Sequence, residues 1–193
     1  LRDHDAHGSS AHTFVPAPMR LSTASVPPTA ASRSARPARP EPAPRTAPPR
    51  DAAAELIKVQ NETLAQYCAA NPERFAGFAT AALQHPELAA EQVEYAVKQL
   101  GFRGVGVGGS VAGEELANPR FHPFWEKCEE LGVLVFMHPL GTRELEPSGR
   151  LDGSGLLTNT IGNPLETTIA LSHLIFEGTL DRFPGLKICA AHG

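Results

Sequence analysis

The chain has 193 residues, 41 % of them hydrophobic, which is enough for one domain with a sizeable core. A net charge of −4 and a pI near 6.1 argue against a nucleic-acid partner, which needs a clustered basic face. No apolar run reaches the roughly 18 residues that cross a bilayer, so no membrane span is expected, and the charged first twenty residues do not read as a signal peptide.

Residues 1–50 differ in kind from the rest. They hold ten of the 18 prolines, and Ala, Ser and Arg fill the gaps. Such a stretch buries too little apolar surface to offset its ordering entropy, so it is expected to be a disordered or polyproline-like segment. The ordered domain is expected over residues 51–193. Asp51 should cap a helix over 52–70 that Asn71-Pro72 stops. A strand-like run follows from Phe75 to Leu83. Pro86 opens a helix to Leu100 with Gly101 as its stop, and Phe102 to Val107 reads as a second strand. Pro123 opens a helix closed by Gly132, and Val133 to Met137 is the third strand. The connection from Pro139 to Gly162 is too long for an ordinary βα loop and is expected to be functional. The next helix should have Asn163 as cap, Pro164 at its first position and Glu166 completing a near capping box; it fades at Gly178. Leu186 to Ala191 is the fourth strand. Strand starts near 75, 103 and 133 recur at the length of one βα unit, which predicts an α/β fold with a parallel sheet. A complete (β/α)8 barrel needs about 250 residues, and the ordered part supplies about half of one. The chain begins at Leu1 without a methionine and stops at Gly193 directly after a strand, so both ends read as those of a fragment.

His138 and His192 are the candidates for chemistry. Each closes an apolar run of the kind found in buried parallel strands, at the end where such enzymes build their sites. Neutral imidazole is a common metal ligand and the usual general acid/base near neutral pH; His138 suits the first role and His192 either. Two such histidines at equivalent strand ends, followed by Pro139 and Gly193, favour a functional pair over two separately satisfied rings. His85 and His122 precede helix-opening prolines and read as helix-entry residues. His173 reads as a core or interface histidine, and His4, His7 and His12 lie in the expected disordered segment. Gly104 to Gly109 match G-x-G-x-x-G formally but overlap a strand instead of opening a helix, so a nucleotide site is not expected. They are expected instead to let a strand end pass close to a substrate or a neighbouring layer. Glu166 is accounted for by capping. Asn159 and Asn163, in the long loop, are candidate substrate-binding amides, although turn chemistry explains them equally well. Cys68, Cys128 and Cys189 are in no metal-ligand spacing and suit a reducing, cytoplasmic setting.

Several motifs resemble one family in order and separation: Phe75-Ala76-Gly77-Phe78-Ala79, Leu100 to Val105, Pro119-Arg120-Phe121-His122-Pro123-Phe124-Trp125, Phe136-Met137-His138-Pro139, Gly162-Asn163-Pro164-Leu165-Glu166-Thr167-Thr168 and Phe183 to Gly193. This is the amidohydrolase-related family of aminocarboxymuconate-semialdehyde, resorcylate and carboxyvanillate decarboxylases, and the resemblance runs over about residues 55–193. It implies a metal-dependent TIM barrel, commonly a homodimer, that removes CO₂ non-oxidatively from a small aromatic or muconate-type carboxylic acid. The implied cofactor is a divalent metal, zinc or sometimes manganese. His138 matches a metal ligand and His192 the catalytic acid/base. The paired first-strand ligands and the aspartate of the eighth strand that the family carries have no counterpart here. Two alternatives stay open: a hydrolase of a lactone or amide on the same architecture, and a non-catalytic fragment.

Overall fold

The computed structural model describes residues 47–139, 141, 145 and 148–192. The expected disordered segment therefore lies outside the described residues except for its last four, and so does Gly193. The described residues belong to one compact unit over 44–193. Its strands are β1 (Phe78–Ala79), β2 (Gly104–Val107), β3 (Ser110–Val111), β4 (Glu114–Glu115), β5 (Leu134–Met137) and β6 (Lys187–Ala190). The order β1-β2-β5-β6 makes one sheet, parallel at every pairing. Helices α1 (Arg50–Ala70), α2 (Pro86–Lys98), α3 (His122–Leu131), α4 (Asn163–Phe176) and α5 (Thr179–Arg182) connect or precede these strands. The βα succession expected from the strand spacing is present.

Strand alternation decides which face does what. Val105, Val107, Val135 and Met137 are buried in the main core, which also holds Val93 of α2 and Phe124, Trp125 and Cys128 of α3. Fully burying side chains of this size contributes about 2–3 kcal/mol each. The Trp125 indole N–H also donates to the Leu116 carbonyl at 2.8 Å, so the bulkiest core residue leaves no unpaired donor. Phe78, Gly104, Gly106 and Phe136 alternate onto the opposite face of the sheet. There the rings of Phe78 and Phe136 stack at 5.9 Å across β2, which lies between their strands. Gly104 permits this approach, because a Cβ on it would sit 2.1 Å from the Leu134 carbonyl oxygen and 2.6 Å from the Phe78 ring.

Several local expectations are corrected. Asp51 is not the cap: Pro49 occupies that position without a side-chain bond, and Asp51 lies in the first turn, where its charge favours the helix dipole. Of the run Phe75–Leu83 only Phe78–Ala79 is strand, because Thr80 turns its backbone to Asn61 and the chain tightens through Leu83 N–H to Ala81 O and His85 N–H to Ala82 O. Asn163 does not cap α4. A π-helical turn, Thr158–Gly162, runs directly into that helix, so Asn163 has helical dihedrals and makes no side-chain cap bond. The stretch after β2, for which the sequence offers no element, holds the β3–β4 hairpin. Its two-residue turn, Ala112-Gly113, has φ of 55° and 86°, the pattern of a type I′ turn. Alanine is a poor marker for the first of those positions, which hid the hairpin from the sequence.

Candidate active site

The site grows from the ladder between β5 and β6. Met137 pairs with Ala190, and pairing runs one step beyond it: the Ala191 N–H donates to Met137 O in this ladder, and the His138 N–H to Val107 O of β2, both at 2.9 Å. His138 and His192 therefore emerge from the same C-terminal rim of adjacent parallel strands. Their rings meet edge to face, with centroids 5.1 Å apart and planes at 65°. His192 makes its own turn, with φ of 65°, a left-handed conformation that histidine enters more readily than most residues. The chain therefore turns at the histidine itself. Both side chains are exposed.

His138 is oriented by its neighbour. Nδ1 lies 3.0 Å from the Pro139 carbonyl. A carbonyl only accepts, so this contact selects the tautomer with the proton on Nδ1 and leaves the Nε2 lone pair for a ligand. The Phe136 ring backs His138 at 6.2 Å. Beside it lies a depression of about 350 Å³, floored by Gly106 and bounded by the Thr80–Leu83 segment and His138.

Two polar side chains fix that bounding segment. Asn61 of α1, only 3 % exposed, donates from Nδ2 to Thr80 O and accepts from the Thr80 N–H, both at 2.9 Å. Gln92 of α2 accepts from the Ala82 N–H at 2.8 Å. Sequence reasoning missed both. The available signal was Asn61 itself, a polar residue on the helix face that carries the buried Ala53 and Ile57.

The remaining candidates separate. Asn159 is exposed in the π-helical turn and Asn163 is half-buried at the start of α4. No hydrogen bond among the described residues ties either amide to the histidine pair. Glu166 Oε1 accepts from Ser110 Oγ at 3.4 Å, and a Cβ on Gly109 would come within 2.6 Å of it, so α4 leans on the segment that follows β2. His85 stands just before α2, its Nε2 3.1 Å from Pro48 O. His122 opens α3 against the Phe183 ring, and burial, then the nearby Arg182 charge, holds its pKa below the usual value. His173 is not a core residue. Its side chain is 38 % exposed and pairs with Glu177, a contact that raises its pKa, and Nε2 lies 3.9 Å from Glu115. Cys128 is buried and its thiol pKa is pushed up to about 12.

Among the described residues no three His, Cys, Asp or Glu side chains are placed to hold a metal ion. His138, exposed at the strand end with Nδ1 turned to the Pro139 carbonyl, could supply Nε2 to one corner of such a site. None of the described helices is long and apolar enough to cross a membrane.

Comparison with known proteins agrees with this architecture. The amidohydrolase family profile matches residues 17–193, further toward the N-terminus than the resemblance read from the motifs. The 2-amino-3-carboxymuconate-6-semialdehyde decarboxylase of Dictyostelium discoideum is 35 % identical over 147 residues, covering 76 % of this chain and 40 % of that protein. The crystal structure of a 2,6-dihydroxybenzoate decarboxylase with 2,6-dihydroxybenzoate superposes with a TM-score of 0.66 at 33 % identity, over 74 % of this chain and 46 % of that one. The dihydroxybenzoic acid decarboxylase of Polaromonas sp. JS666, with bound manganese and 2-nitroresorcinol, gives a TM-score of 0.63 at 32 % identity, over 72 % of this chain and 44 % of that one. The chain spans about half the length of the curated relatives it matches, and its four parallel strands are half of a (β/α)8 barrel. On this evidence the chain belongs to the amidohydrolase family.

Proposed function

We propose that this chain is part of a metal-dependent, non-oxidative decarboxylase of small aromatic or muconate-type carboxylic acids. The observation that carries the reading is the pair of imidazoles, 5.1 Å apart on one rim of the sheet. Support comes from the relatives, which are decarboxylases of such acids, one of them with manganese bound.

In this reading His138 Nε2 is one ligand of a divalent ion, zinc with manganese as the alternative, and the Pro139 carbonyl keeps the ring in the ligating tautomer. The ion, when bound, polarises substrate oxygens and lowers the pKa of coordinated water. His192 handles the proton: as the carbon–carboxylate bond breaks and CO₂ leaves, the carbon that held it must gain a proton, and in this proposal the His192 ring delivers it. The Phe136 and Phe78 rings, stacked on the same face of the sheet, add apolar surface beside His138. Asn159 and Asn163 stay assigned to substrate contacts, and the complete enzyme is a cytoplasmic homodimer.

The test is product analysis on the full-length protein loaded with zinc or manganese. Release of CO₂ from 2,6-dihydroxybenzoate or the carboxymuconate semialdehyde is expected. Hydrolysis of lactone or amide substrates without CO₂ release would refute the reaction assigned.

A further inference from the structure

Two of the glycines around β2 have steric explanations. A Cβ on Gly104 would strike the Leu134 carbonyl oxygen, and one on Gly109 would strike the Glu166 carboxylate. Gly106 has neither explanation. Among the described residues a Cβ there would meet only the Ala79 carbonyl oxygen, at 3.9 Å, and its φ is not left-handed. A glycine inside a strand gives up packing and costs chain entropy, and its usual use is to let something approach the backbone.

Alternation shows where that approach comes from. Val105 and Val107 point into the helix-covered core, so Gly106 opens onto the inward face, beneath the depression that His138 borders. Its 350 Å³ lies at the lower end of the range for small-molecule sites. One side is His138; the other is the Thr80–Leu83 segment, clamped by Asn61 and Gln92. The cavity is therefore a bare-floored slot with rigid sides and one imidazole at its edge.

We infer that Gly106 is the specificity-determining residue of this slot: its missing side chain lets a flat, single-ring aromatic carboxylic acid lie against the β2 backbone with one edge at His138. The class of acid rests on the decarboxylase reading. A ring packs about 3.5 Å above a backbone, in the layer that a side chain at position 106 would occupy.

The experiment is titration of the full-length protein, and of its Gly106→Ala and Gly106→Val variants, with 2,6-dihydroxybenzoate, following the His138 ring by ¹H–¹⁵N NMR. Thermal melts and the β2–β5 amide signals report whether each variant is folded; both should be, because no described residue crowds a Cβ at position 106 and valine suits a strand. The wild-type protein should bind saturably and shift the His138 ring. Gly106→Ala should weaken binding a few-fold and Gly106→Val by about tenfold or more, as one inserted side chain does in a fitted pocket. Equal affinity in wild type and Gly106→Val would overturn the inference, as would absence of saturable binding to the wild-type protein. Gly106-dependent ring binding without CO₂ release in the full-length assay would support the slot and refute the reaction.

Discussion

Replacing Asn61 tests how the active-site rim is held. The side chain makes two hydrogen bonds to the backbone of one residue, Thr80, and is itself almost completely buried. Each such bond contributes about 1 kcal/mol net. Thr80 is exposed, so water can take over its N–H and carbonyl, and the full penalty for orphaned buried groups does not apply. Adding a small cavity, Asn61→Ala should cost about 2–3 kcal/mol, which in a domain of this size lowers Tm by about 4–12 °C. Asn61→Leu separates the terms, because it refills the space without restoring either bond; it should remain at least about 1 kcal/mol below wild type. Hydrogen exchange gives the local readout: the Thr80 amide should lose protection in both variants, while the Val135 amide changes only with global stability. A Thr80 amide as protected in Asn61→Ala as in wild type, or full recovery of stability by leucine, would refute the clamp.

Two further outcomes follow from the packing and charge. Gly104→Ala should cost about 3 kcal/mol or more in urea denaturation, because its Cβ meets the Leu134 carbonyl at 2.1 Å and β2 and β5 must separate; a change below about 0.5 kcal/mol would contradict that close approach. His173 has its pKa raised by Glu177, so the pair stabilises the fold below the ordinary histidine pKa and that contribution disappears as pH rises through the higher folded-state value. Melting wild type and Glu177→Gln should therefore show a difference at pH 5.5 that vanishes by pH 8.5, and under about 1 kcal/mol because the pair is solvent-exposed.

The parts of the fold written in strong local patterns were legible. Apolar runs, helix-opening prolines and Gly132 placed β2, β5, β6, α2 and α3 to within a residue or two. The two histidines could be put at strand ends, although only the structure shows their rings in contact, since that depends on the Met137–Ala190 register. The failures have two causes: a local turn or cap that its residues do not mark, and a long-range contact that outweighed a local preference. Asn163 and Glu166 spell a cap, but the π-helical turn before Asn163 carries the helix through it, and Glu166 finds its contact at Ser110, across the fold. The run from Phe75 reads as strand until Asn61, 19 residues before Thr80 in sequence, captures the backbone. Gly104 and Gly106 look alike in a glycine-rich run, and only the neighbours of each distinguish a packing requirement from an open floor.

Metal content and turnover of the full-length protein carrying His138→Ala or His192→Ala, determined by elemental analysis and CO₂ release, test the division of labour at the rim most directly. The account predicts that His138→Ala loses the metal, whereas His192→Ala keeps it and loses the rate. Equal metal retention in the two variants, or undiminished turnover in His192→Ala, would contradict it.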